Sequence, residues 1–139
     1  MSDRDLLRAE ALRWLRYAQE DIHTADTLLE AVDVPLRTVC FHSQQATEKA
    51  LKAVLVYEDI DVPRTHDLSL LQSLLPEAWA VKRARGDLTA LSIWATHPRY
   101  PGDWPEATHE DAADAMALAR QVLVAVLQDF KALGLELQS

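Results

Sequence analysis

The residues best suited to chemistry stand in one stretch, Phe41-His42-Ser43-Gln44-Gln45-Ala46-Thr47-Glu48-Lys49-Ala50-Leu51-Lys52-Ala53, followed by Thr65-His66-Asp67-Leu68. On a helix, His42, Gln45, Lys49 and Lys52 fall at i, i+3, i+7 and i+10 and share one face. Such a stripe can hold a nucleotide phosphate or an RNA backbone, with the lysines as point charges. It serves equally as a polar interface or a solvated edge, with Glu48 and Lys52 paired at i, i+4. His42 and His66 are candidate bases for the proton of a ribose 2′-OH. Arg37, Arg64 and Arg99 are candidate clamps for charge growing on a phosphate. The structural alternative for His66 is that it opens a helix beside Asp67 and bonds a backbone group.

A second candidate group is Arg99, Tyr100 and Trp104, in the proline-rich run His97-Pro98-Arg99-Tyr100-Pro101-Gly102-Asp103-Trp104-Pro105. Arginine beside aromatics can stack a base and clasp a phosphate, or the two rings can plug the end of a bundle. No His-Glu-x-x-His motif occurs, and Cys40 is the only cysteine, so no metal ligands are assigned. Three glycines do not build a phosphate loop, and no cofactor is expected.

These residues need a scaffold, and the apolar spacing supplies one. Leu7, Ala11, Trp14, Ala18, Ile22, Ala25, Leu29 and Val32 recur at four-and-three spacing and predict an amphipathic helix from about Arg4 to Val32. Pro35 precedes a second helix, about Leu36 to Glu58, whose apolar face is Val39, Ala46, Ala50, Val54 and Tyr57. Thr65 or Asp67 caps a short third helix ending before Pro76. Glu77 to Thr96 is expected to be helical with a break at Arg85-Gly86-Asp87. Thr108 and Asp111 open the last helix, with Ala112, Ala115, Ala119, Val122, Val126, Phe130 and Leu133 inward and Gly134 just past its end. The predicted class is all-α, an antiparallel bundle of four to five helices, with 1-139 as one domain.

The net charge of −8 argues against a broad electrostatic grip on nucleic acid, which lysine and arginine would have to supply. No apolar run reaches the roughly 20 residues of a membrane span, and the first residues carry no signal core. One cysteine fits a reducing compartment, so a cytoplasmic, membrane-free setting is expected.

The string from Phe41 to Ala53 resembles the second helix of HEPN domains (higher eukaryotes and prokaryotes nucleotide-binding). Trp14-Leu15 with Ala18 and Asp21 is similar to that family's first helix. Thr65-His66-Asp67-Leu68 resembles its His-Asp-Leu helix start, and Arg99-Tyr100-Pro101 resembles its late loop. The resemblance runs from about Trp14 to Phe130. It implies a HEPN-like bundle that commonly forms a homodimer. It also implies a role near nucleotides or RNA and a minimal nucleotidyltransferase as partner, as in toxin–antitoxin pairs. Some members are metal-independent endoribonucleases with an Arg-x(4–6)-His motif. Arg37-x4-His42 and Arg16-x6-His23 match that spacing, but both stand early in the chain, whereas active members carry the motif late. His109 lies too far beyond Arg99 to complete it. A binding module is therefore the favoured function, with an endoribonuclease toxin and a purely structural protein as alternatives.

Two expectations can be measured. Light scattering at micromolar concentration should give the mass of a dimer. Lys49→Glu with Lys52→Glu should weaken nucleotide or RNA binding in calorimetry while leaving the bundle folded.

Overall fold

The computed structural model describes residues 2–95 and 106–137. Helix α1 spans Asp3–Glu30. Ser2 accepts from the Asp5 amide while the Asp5 carboxylate accepts from the Ser2 amide, a reciprocal cap that satisfies two amides with no partner inside the helix. The inward stripe is Ala11, Leu15, Ala18 and Ala25, with Asp21 set among them. Asp33, at φ 68°, takes the left-handed turn that reverses the chain.

Helix α2 spans Leu36–Tyr57 and is the axis of the molecule, packing against every other helix. Three of its sides are therefore buried. Leu51, Val54 and Leu55 are fully covered, each contributing about 1.5–3 kcal/mol. Ala46, Ala50 and Ala53 let the neighbouring backbones come close. Ser43 donates to the Val39 carbonyl and Thr47 to the Ser43 carbonyl, so these buried hydroxyls are satisfied within their own helix. Apart from Arg37, exposed in its first turn, only a narrow strip of α2 reaches solvent: Thr38, Phe41, His42, Gln45, Lys49, Lys52 and Val56 are all half-buried.

Asp67 caps α3, Leu68–Ser73, by accepting from the Ser69 and Leu70 amides. The helix expected from Glu77 does not form. A 3-10 turn, Ala80–Arg83, and a five-residue α4, Leu88–Ser92, stand there instead. Side chains have taken the backbone partners a longer helix would need. Gln72 donates to the Val81 and Ala84 carbonyls, and the Val81 amide donates to Asp129, while Lys82 reaches back out of the region to the Ser73 and Leu75 carbonyls. The expected break at Gly86 is present, and Asp87 caps α4 through the Ala90 amide.

Helix α5, His109–Ala132, opens on a reciprocal cap between Thr108 and Asp111 and ends before Gly134, which is left-handed at φ 84°. It closes the bundle against α2. At that end Tyr57, Trp79 and Phe130 stack edge-to-face with centroids 4.9–5.8 Å apart. An Arg120–Asp26 ion pair ties α5 to α1. The only cysteine, Cys40, is fully buried, and burial, with the negative charge of Asp111, pushes its thiol up to about 11. The expected class holds: five α-helices and no strand among the described residues. None of the helices described is long and apolar enough to cross a membrane.

Gly86 is the tightest joint. Its φ of 146° is disfavoured for any other residue, and an added Cβ would lie 2.3 Å from Leu118 Cδ1 on α5. Gly86→Ala should cost about 1–3 kcal/mol, read as a lower urea midpoint with unchanged slope.

Candidate functional site

The outer strip of α2 is where the sequence places the chemistry, and two buried carboxylates organise it. Asp21 reaches across from α1, its side chain 11% exposed. Its Oδ1 lies 2.9 Å from His42 Nδ1 and its Oδ2 2.5 Å from Lys49 Nζ. Glu48, 6% exposed, repeats the arrangement on the other side of the strip. Its Oε1 lies 2.7 Å from His66 Nδ1, and its Oε2 takes Lys52 Nζ at 2.9 Å. Gln44 adds a 3.3 Å bond to Glu48 Oε1 and a 3.4 Å bond to the His66 carbonyl, and Gln45 donates to Gln44 at 2.7 Å. Each carboxylate thus joins one histidine to one lysine.

Helix periodicity explains how one aspartate serves two partners. His42 and Lys49 are seven residues apart, two turns of α2, so both face α1. A carboxylate only accepts, which places the hydrogen of each ring on Nδ1 and leaves Nε2 as the nitrogen turned from the anchor. The His66 side chain is 54% exposed, against 25% for His42. Two lysines cancel two carboxylates, so the strip gains little net attraction for phosphate from them. Trp14 flanks it, with Lys52 Nζ 5.9 Å from its ring centroid. Among the described residues no group of histidine, cysteine and acidic side chains could hold a metal ion.

The structure gathers the predicted residues into two adjoining clusters, His42 and Lys49 on Asp21, and Lys52, His66 and, through Gln44, Gln45 on Glu48, and the Glu48–Lys52 pair forms at the expected spacing. The structural alternative for His66 is realised in a different form, because its ring nitrogen bonds the Glu48 side chain rather than a backbone group. Arg64 is exposed on the connector before it. Arg37 is exposed in the first turn of α2, about 140° round the helix from His42, so that motif match does not converge. Arg16 and His23 are exposed on the side of α1 away from Asp21. Arg99, Tyr100 and Trp104 lie outside the described residues.

Sequence reasoning missed Asp21 and Gln44 as members of the site. A signal for Asp21 was present: it interrupts the inward stripe of α1 between Ala18 and Ala25, where a carboxylate must find donors.

The all-helical fold, with α2 as its axis and a carboxylate-anchored polar strip, defines a class of small helical proteins. Comparison with known proteins places the chain within it. The HEPN domain model matches residues 11–129, and this chain belongs to that family. It is 30% identical to a protein of Methanocaldococcus jannaschii named "Putative toxin MJ1304", over 84% of this chain and 85% of that one. It also resembles the crystal structure of ST0689, an archaeal HEPN homologue, with a TM-score of 0.64 and 26% identity over 84% of this chain and 93% of that one. Its fold matches that of TT1696 from Thermus thermophilus with a TM-score of 0.70 and 24% identity, over 86% and 97% of the two chains.

The pairing overturns the expected tolerance of charge reversal. Lys49→Glu or Lys52→Glu would set a second anion against Asp21 or Glu48. Each should cost about 2–3 kcal/mol, below the full cost of breaking a buried pair because the lysine tips reach solvent. The acid response is also set here. Burial pushes the Glu48 carboxyl up, but the bonds from His66, Lys52 and Gln44 and the Lys52 charge together outweigh it and hold it below its usual 4.5. A depressed carboxylate stabilises the fold above its unfolded value, and that share is lost as pH falls through the folded value. Stability in urea should therefore drop below about pH 4.5. Glu48→Gln should be less stable at pH 7 and fall less steeply in acid; an identical acid slope would remove Glu48 from that role.

Proposed function

We propose that this HEPN protein is one member of a toxin–antitoxin-type pair. It works as a cytoplasmic homodimer beside a minimal nucleotidyltransferase, with the chain as one domain, and holds a nucleotide or RNA phosphate along the outer strip of α2. The observation that carries this reading is the strip itself. His42, Gln45, Lys49 and Lys52 stand in line on the most buried helix, at partial exposure and in fixed orientation. Trp14 offers a ring of the kind that stacks on bases. Pre-set donors cost little ordering when a ligand arrives. The name of the archaeal relative supports the toxin–antitoxin setting. The net charge of −8 favours a short ligand and a protein partner over a long nucleic-acid track.

A second reading, a metal-independent endoribonuclease, has one specific observation in its favour. His66 is half exposed with Nδ1 fixed on Glu48, so its Nε2 is oriented to exchange a proton with a ribose 2′-OH. Arg99 would be the clamp on the phosphate in that reading, and Tyr100 a stacking ring.

Gln45 separates these readings without touching an ion pair. Gln45→Glu should weaken binding of ATP or a short single-stranded RNA about tenfold in calorimetry, and Gln45→Lys should tighten it. Unchanged affinity in both folded variants would end the strip's role as a phosphate site. RNA cleavage in EDTA that disappears in His66→Ala would instead establish the second reading.

A further inference from the structure

A cleft lined by α4 and α5 remains unused by that function. Helix α4 rests chiefly on α2 and α3, and between it and α5 lies a cavity of about 490 Å³. One wall carries Asp87, Ile93 and Trp94; the other, on α5, carries Asp111, Asp114 and Leu118. Gly86 closes one end by seating the chain directly on Leu118.

The lining has two characters. Its floor is apolar, with Trp94 nearly buried and Ile93 about half exposed. Its rim is anionic, and among the described residues no lysine, arginine or histidine lines it. The three carboxylates are not equal. Asp87 and Asp111 each give an oxygen to a backbone amide at a helix start, and those helix ends offset part of their charge. Asp114, one turn further on, is exposed and makes no hydrogen bond or ion pair among the described residues.

We propose that this cleft docks a segment of a partner protein in which basic and aliphatic side chains alternate. The aliphatic groups would cover Ile93 and Leu118, and a guanidinium or ammonium would pair with Asp114. Charge complementarity identifies the occupant: an anionic rim on which the described residues set no counter-ion repels acidic segments and draws basic ones. Length favours a chain segment over a small cation. The α5 wall runs from Asp111 to Gln121, about 15 Å at helical rise, which matches four to five extended residues. Ala115 and Ala117 on that wall leave room for a backbone to lie close.

The probe is the blocked pentapeptide Leu-Arg-Leu-Arg-Leu, titrated into the ¹⁵N-labelled full chain. Saturable shifts should centre on the amides of Ile93, Leu118 and Gln121. Binding should weaken about tenfold in Asp114→Lys and fall similarly in 0.5 M salt. The glutamate counterpart, Leu-Glu-Leu-Glu-Leu, should not bind. Ile93→Ser, at an exposed position that leaves the charges in place, should also weaken binding. Absence of saturable shifts would overturn the proposal, as would unchanged affinity in folded Asp114→Lys and Ile93→Ser. Butylguanidinium binding as tightly as the peptide would make the cleft a small-cation pocket instead. Tighter peptide binding in Arg99→Gln would assign the cleft to the chain's own residues 96–105, and either result would overturn docking.

Discussion

Two carboxylates out of water hold the outer face of α2 together. A buried anion is tolerated only when donors surround it, and each of these recruits a lysine and a histidine. Asp21 thereby fixes α1 against α2. Glu48 fixes the connector after α2 through His66, and the same connector ends in the cap that starts α3. Three segments distant in sequence are set by two side chains. The apolar core supplies most of the cohesion, but apolar contact is indifferent to small slides of one helix along another. The ion pairs are not, because a slide of one turn would leave Asp21 facing the wrong residues of α2.

The long helices were legible because their apolar residues recur with helical period and their ends carry capping residues. Ser2 with Asp5 and Thr108 with Asp111 are local signals, and the structure uses both. The region from Glu77 to Ala95 was less legible. Its residues are compatible with a helix, and what competes with one is the claim that Gln72 and Asp129 make on its backbone from elsewhere. Local propensity does not contain those partners.

The site shows the same division. The stripe from His42 to Lys52 follows from spacing alone. Which groups neutralise it depends on α1 and on the connector at His66, and pattern reasoning on one helix does not reach them. The lysines that look like phosphate ligands in the sequence are already held by internal carboxylates. A phosphate on this face must therefore share cations that the fold also needs. Binding and stability draw on the same four charges, so changes here couple the two.

The lone thiol has a consequence of a different kind. Cys40 lies under the surface of α2 with its ionisation suppressed, so its thiol is not presented to a second copy or to an oxidant. While the fold is intact, any assembly through these described surfaces would be non-covalent and reversible. The redox poise of the surroundings then has no direct hold on it, and dilution or salt can take it apart where a reductant cannot.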